Sequence, residues 1–491
     1  MTWSPHPRIY EINTWVWLGE LSRKSGRSIT LKNVPKQEWD AIARLRVDAV
    51  WFMGVWERSP AGLAIARANP SLMTDCRRAL PDVVDRDIVG SPYCVRRYVV
   101  DQALGGPDGL AEARKQLAGR GLGLVLDFVP NHVAPDHPWA DEHPEYFIRG
   151  DREDLAREPA SFLDRNGRVY ACGRDPYFPA WPDVLQLNAF DPGLRRAAVE
   201  TVASLADQCD GVRCDMAMLF INSIFERTWG KRAGAKPSTE YWIDLIATVK
   251  KTHRQFVFMA EAYWDLEWEL QQQGFDYCYD KRLYDRMEHG EVEPVRQHLQ
   301  GDPEFERRLV RFLENHDEPR AAATFPPPKH RAAAVVILSL PGAKLLHEGQ
   351  FQGRQTRVTV FLARRPEETP DLDLERFYET LLQQTAEEPF RSGEWTMCEC
   401  TGWPDNMSCR NLLAWSWKKQ DARCLVIVNF SGASVQARVR VPWSEVAAGT
   451  WRLTDALSEE RYDRSGEEMT GSGLYVSLDP WRWHVFHLAK S

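Results

Sequence analysis

The chain has 491 residues, 43% hydrophobic and 27% charged, with 62 basic and 70 acidic side chains and a net charge of −8. At ~100–200 residues per domain, that length accommodates two to four domains or one large barrel with additions. The balance excludes a largely disordered chain, and the acidic surplus argues against a dedicated nucleic-acid binder.

Taken in chain order, short apolar runs alternate with helix-like stretches. Strands are predicted over Ile9–Trp17, Ala49–Val55, Leu122–Val129, Asp210–Met216, Phe256–Ala260, Phe275–Tyr279, Leu309–Leu313 and Ala343–Leu346. Helices are predicted around Trp39–Leu45, Leu110–Ala118, Leu194–Ala206, Trp242–Lys250, Val292–Leu299 and Ala332–Leu340. Such alternation implies parallel strand pairing. Eight units over some 350 residues predict an α/β fold, a (β/α)8 TIM barrel, against a doubly wound open sheet as the competing reading. Two connections are long, Trp56–Gly106 and the stretch from His132 to about Ala189. Loops beyond ~12–15 residues are usually functional or form a small subdomain. After about Glu388 the texture changes to short strands separated by Gly, Ser and Asp turns, which predicts an antiparallel β-sandwich. The expected division is a barrel over 1–132 and 190–388, an inserted subdomain after the third strand over 133–189, and a C-terminal β-sandwich over 389–491.

No run of about 18 apolar residues occurs, so no membrane span is expected. The first residues lack the pattern of a secretory signal. Ten scattered cysteines without paired CxxC sets predict reduced, structural thiols and a cytoplasmic chain. Cys398, Cys400 and Cys409 have no nearby histidine to complete a familiar zinc spacing.

Four polar clusters stand at predicted strand ends, where barrel enzymes place their sites. They are Asp127-Phe128-Val129-Pro130-Asn131-His132, Gly211-Val212-Arg213-Cys214-Asp215, Met259-Ala260-Glu261-Ala262-Tyr263-Trp264 and Glu314-Asn315-His316-Asp317-Glu318. A lone cluster reads more readily as a strand cap or ion pair; four in series do not. A closed barrel would gather Asp215, Glu261 and Asp317, and two carboxylates flanking one bond are what glycoside hydrolysis requires. Arg213, two residues before Asp215, would share its strand face and hold it ionised. His132 and His316 suit hydrogen bonds to sugar hydroxyls.

These motifs, in this order, resemble those of the α-amylase family, glycoside hydrolase family 13. Trp181–Asn188 resembles that family's additional motif near the end of its inserted domain. The resemblance implies Asp215 as nucleophile, Glu261 as general acid/base and Asp317 as the carboxylate that holds and distorts the sugar in the cleavage subsite. It implies substrate contacts from Arg213, His132 and His316, a supporting role for Asp127, and ring stacking from Tyr93. Asn131 matches a calcium ligand, so the resemblance leaves a structural calcium open while the chemistry itself requires no cofactor. Met216–Leu219 departs from the family pattern, which often carries a Lys-His pair there that contacts the leaving-side sugar.

The 20 tryptophans permit a sugar-gripping groove. Trp264 is the expected substrate contact, with Trp181 behind it. The other aromatics of the insertion, Tyr177 and Phe178 among them, are expected mostly to pack a subdomain with little regular structure. Trp415, Trp417, Trp443 and Trp451 are expected in the sandwich core. The expected activity is a retaining α-glycosidase on α-glucan or oligosaccharide substrates, with no nucleic-acid or membrane partner; the oligomeric state is left open. An α-glucan transglycosylase is the alternative, ahead of a non-catalytic amylase-like binding protein. A metal-dependent hydrolase is disfavoured, because neither HxH nor HExxH occurs.

Overall fold

The computed structural model describes residues 3–290 and 292–491. All eight predicted strands enter one closed parallel barrel, which rules out the open sheet. They are β1 (Arg8–Asn13), β2 (Ala49–Met53), β3 (Gly123–Phe128), β4 (Gly211–Cys214), β5 (Val257–Ala260), β6 (Tyr277–Tyr279), β7 (Leu309–Arg311) and β8 (Ala343–His347). The strands follow one another round the barrel in chain order, and β1 pairs with both β2 and β8. β2 and β5 are buried at every position. Parallel strands covered on both faces read as continuous apolar runs, which is why the sequence shows them.

The predicted strand Ile9–Trp17 runs too far. It ends at Asn13, whose side chain accepts the Val16 N–H at 3.3 Å and caps a helix over Thr14–Ser25. The apolar residues Val16, Trp17 and Leu18 face the core from that helix instead, so apolar content alone mis-stated their period. The helix over Pro192–Ala206 shows the same capping logic more fully, with Asp191 accepting the Leu194 N–H at 2.8 Å and proline at the first position.

The segment between β2 and β3 holds helices over Pro60–Ala68 and Pro70–Ala79 and a hairpin of Trp56–Arg58 with Val95–Val100. The segment after β3 is more regular than expected. His132–Val133, Trp181–Gln186, Arg168–Gly173 and Phe162–Arg165 form a four-stranded antiparallel sheet in that order. Its strands are short and interrupted by Pro, Asp and Arg, so their period-2 pattern is weak in the sequence.

Towards the C-terminus, a six-stranded and a three-stranded antiparallel sheet enclose a second core that includes Leu425, Ile427, Ala437, Val439 and Leu474. The edge strands Glu394–Met397, Glu399–Thr401 and Arg461–Ser465 were not foreseen; alternate exposure and charge hide them. Trp415 and Trp417 are buried, and both indole N–H groups donate to the Ser339 carbonyl, at 3.1 and 2.7 Å. These two tryptophans therefore join the sandwich to the barrel helix Pro327–Ser339. All ten cysteines are free. Among the described residues no helix is long and apolar enough to cross a membrane.

Candidate active site

The four polar clusters meet at the C-terminal ends of β3, β4, β5 and β7, as parallel register requires. Arg213 on β4 pairs in register with Asp127 on β3 and Met259 on β5. Its guanidinium is fully buried, and one fork nitrogen lies 2.6 Å from Asp215 Oδ1 while the other lies 2.7 Å from Glu261 Oε2. Asp127 Oδ1 is 3.7 Å from the same group. A buried cation is costly unless paired, and here three carboxylates surround it. The rings of Trp51, Tyr93 and Tyr279 lie 5.4, 5.2 and 5.9 Å from the guanidinium carbon and add cation–π attraction. Asp127 itself is wholly buried and accepts the Gly54 N–H at 3.1 Å. Gly54 has φ +79°, and a Cβ there would meet Pro92 at 2.9 Å, so only glycine lets the backbone reach that carboxylate.

Glu261 is held on three sides. Besides Arg213, its carboxyl accepts the Met216 N–H at 2.6 Å and the Tyr263 hydroxyl at 2.8 Å. Met216 adopts a left-handed conformation, φ 44° and ψ 46°, which turns its N–H toward Glu261. Such backbone is unfavourable for a side chain of this size and concentrates at functional sites. Burial pushes Glu261 up to about 7, Arg213 opposing and the charges of Asp215 and Asp317 adding. Burial likewise raises Asp215, to about 6, against the pull of Arg213.

Asp317 stands at the open side of the cleft with 44% of its side chain exposed. Desolvation raises its carboxyl, but His316 outweighs this and holds it down to about 2. His316 is the centre of a chain of contacts that the sequence only partly revealed. Its Nδ1 is 2.5 Å from Glu11 Oε1, and its Nε2 lies 2.9 Å from Asp317 Oδ2 and 2.6 Å from the Tyr93 hydroxyl. Burial would strip the ring of a proton; the carboxylates of Asp317 and Glu11 overcome this and keep it protonated well above the usual histidine range.

Of the anticipated site residues, Asp215, Glu261, Asp317, Arg213, Asp127, His316 and Tyr93 converge. His132 is buried on the adjacent wall, its ring 5.2 Å from that of Trp181, and burial lowers it to about 3, so it stays neutral. Trp264 lies beyond Glu261 with φ 64°, edge-on to Tyr177 at 4.8 Å between ring centres. Tyr177 and Phe178, expected to pack, are instead 58% and 67% exposed beside it. Glu11 and Tyr263 were missed as contributors. A carboxylate inside the apolar run of β1 was the available signal for Glu11, and the two-residue spacing from Glu261 was the signal for Tyr263.

Glu11→Gln should remove one of the two charges that keep His316 protonated. Loss of a charge-assisted hydrogen bond costs about 1.5–3 kcal/mol, so kcat/KM should fall about 10- to 100-fold. The loss should steepen as pH rises, because the imidazolium then deprotonates earlier. A pH–rate profile identical to that of the parent chain would show that Glu11 only packs.

Asn131 does not fit calcium. Its side-chain oxygen, its backbone carbonyl and the Leu187 carbonyl all accept from one nitrogen, Gln186 Nε2, at 2.9, 2.9 and 3.0 Å. An amide nitrogen therefore sits among the oxygens a cation would need, and calcium takes six to eight oxygen ligands. Among the described residues no group of three or more His, Cys, Asp or Glu side chains is placed to hold a metal.

No protein-family model matches the chain. An α-amylase, MalA of Haloarcula japonica, is 24% identical over 374 residues, covering 72% of this chain and 45% of that protein. The noncanonic maltogenic α-amylase AmyB of Thermotoga neapolitana superposes with a TM-score of 0.70 at 16% identity, covering 99% of both chains. The chain shares the fold of that α-amylase. An α-1,4-glucan:maltose-1-phosphate maltosyltransferase of Bifidobacterium longum is 26% identical over 186 residues, 37% of this chain and 21% of that protein. The chain thus spans less than half the length of either curated relative.

Proposed function

We propose that this chain is a retaining α-glycosidase of the α-amylase type, acting on α-glucosidic bonds of oligosaccharides or glucans. The observation that carries the reading is the Arg213 fork, which pins Asp215 and Glu261 to adjacent nitrogens of one planar group. Carboxyls pinned in this way favour the ~5–5.5 Å separation of a retaining pair over the ~6.5–9.5 Å that leaves room for a water. Asp215 would attack the anomeric carbon, forming C1–Oδ as the glycosidic C1–O bond breaks. Glu261 would give its proton to the departing oxygen, then take one from the incoming hydroxyl as the C1–Oδ bond opens. Asp317, ionised beside His316, would hold sugar hydroxyls, and Tyr93 would offer its face to the ring.

Incubation with maltooligosaccharides, followed by sizing and anomeric analysis of products, tests this reading. Shorter products of retained α configuration are expected; no turnover of any α-glucoside would overturn it. The sequence likeness to a maltosyltransferase and the open cavity beyond Glu261 favour a second reading, glycosyl transfer, in which longer products accumulate.

We propose further that no calcium serves Asn131, because the Gln186 amide fills its place. Chelators should leave activity and Tm unchanged, whereas Gln186→Glu should make Tm respond to added calcium. A Tm that falls on chelation of the parent chain would refute this. A cytoplasmic setting is supported by ten thiols that form no disulfide.

A further inference from the structure

A cavity of about 500 Å³ opens beyond Glu261. Met216 and Tyr263, two of the groups that hold the Glu261 carboxyl, belong to its lining. On the glycosidase reading above, on which this inference rests, the oxygen that Glu261 protonates departs into this space. The walls supply flat apolar faces: Tyr263, Trp264 and the exposed ring of Phe178. Met216, Trp264 and Asp265, three non-glycine residues with positive φ, all line it, so the backbone is held in unfavourable conformations round this one space.

The polar lining is one-sided. Asp175, Asp265, Glu267, Asp285 and Glu318 face two cations, Lys281 and Arg282. Both cations are already engaged: Arg282 pairs with Asp265, and Lys281 pairs with Asp285 and lies 3.4 Å from Glu318. Arg227, outside the lining, donates to the Tyr177 hydroxyl at 2.9 Å. Glu267 is the unusual member. It is 8% exposed, makes no hydrogen bond to another residue's side chain, and lines the cavity. Burial pushes it up to about 7, its own backbone N–H opposing and the charges of Asp280 and Asp265 adding. A sugar hydroxyl or an amine in the cavity would give this carboxyl a further hydrogen bond.

We infer that this cavity receives the leaving or accepting sugar as an uncharged or amine-bearing ring and turns away a phosphorylated one. Aromatic faces take the ring, and the carboxylates accept from its hydroxyls or an ammonium group. A phosphate would instead meet an excess of like charge at close range, without a free cation in the lining to offset it. The cavity thereby supplies leaving-side contacts that Met216–Leu219 do not.

The test uses α-maltosyl fluoride as donor. Asp215 displaces fluoride, C1–F breaking as C1–Oδ forms, so fluoride release reports the first step without any sugar in the cavity. An acceptor hydroxyl then attacks C1, the bonding pair returns to Asp215, and the proton passes to Glu261. Glucose, glucosamine and glucose 1-phosphate are compared at equal concentration and low ionic strength, reading the transfer product or, where none forms, slowing of the reaction by the bound sugar. Glucose and glucosamine should act at least about tenfold more strongly than glucose 1-phosphate, and Glu267→Gln and Glu318→Gln should each narrow that margin about threefold. Equal response to glucose and glucose 1-phosphate, a margin unmoved in both variants, or no response to any of the three would overturn the inference while fluoride release leaves the glycosidase reading standing. Absence of fluoride release would overturn that reading itself, and the inference with it.

Discussion

Asp215→Asn is expected to lower kcat/KM on every α-glucoside by about 10⁴-fold or more, the scale seen when the attacking group of a catalytic set is removed. The substitution keeps the shape of the side chain, and the amide oxygen still accepts from Arg213, whose nitrogen lies 2.6 Å from Asp215 Oδ1. An amide cannot form the glycosyl ester, so binding should survive while chemistry stops. The fold should survive as well, and unchanged Tm with lost turnover separates this outcome from misfolding. The rate should not recover at any pH, because no ionisation restores the nucleophile. Digestion and mass spectrometry of the parent chain caught during turnover should find the added sugar on the peptide that carries Asp215. An unaltered rate in the variant, or the sugar on another residue, would remove Asp215 from this role.

Glu261→Gln is expected to cost about 10²- to 10⁴-fold on oligosaccharides, the usual contribution of a positioned general acid. Its signature is selective. Fluoride departs without protonation, so α-maltosyl fluoride should still glycosylate the variant, and the intermediate should accumulate because no general base activates water. The pH profile gives an independent check. On the proposed mechanism activity needs Asp215 ionised and Glu261 protonated; with Asp215 raised to about 6 and Glu261 to about 7, the parent rate should rise through the first value and fall beyond the second. These limbs belong to the interacting pair rather than to either residue alone. In the variant the alkaline limb should disappear, since the group that loses its proton there is gone. Equal losses on fluoride and on oligosaccharides would show that Glu261 orients substrate rather than transferring a proton.

Legibility in the sequence followed the strength of the local signal. β2 and β3 are buried strands bounded by turns, and each was read to within two residues. The sheet inside the insertion was not, because its four short strands keep little alternation, although the tight Asn166-Gly167 turn between Phe162–Arg165 and Arg168–Gly173 was an available hairpin signal. Tyr177 and Phe178 were misassigned for a related reason. Aromatic identity does not reveal exposure; in the fold Asp175 accepts both of their backbone N–H groups and their rings are left exposed. Glu11 carried the same signal as the four clusters, a charge in an apolar strand, yet its partner His316 lies 305 residues away.

Strand–helix alternation and four motifs at strand ends located the eight strands, the long segment after β3 and the candidate carboxylates Asp215, Glu261 and Asp317, while barrel against open sheet was decided by closure. The strands, the segment and the motifs are local properties, written in consecutive residues and in their order. Electrostatics and partner choice were decided by tertiary structure alone. Whether Arg213 bridges two carboxylates, whether Gln186 fills the space beside Asn131, and whether the cavity past Glu261 is acidic all depend on groups that barrel closure brings together. Charge–charge energy depends on distance and burial, neither of which a linear order of residues contains.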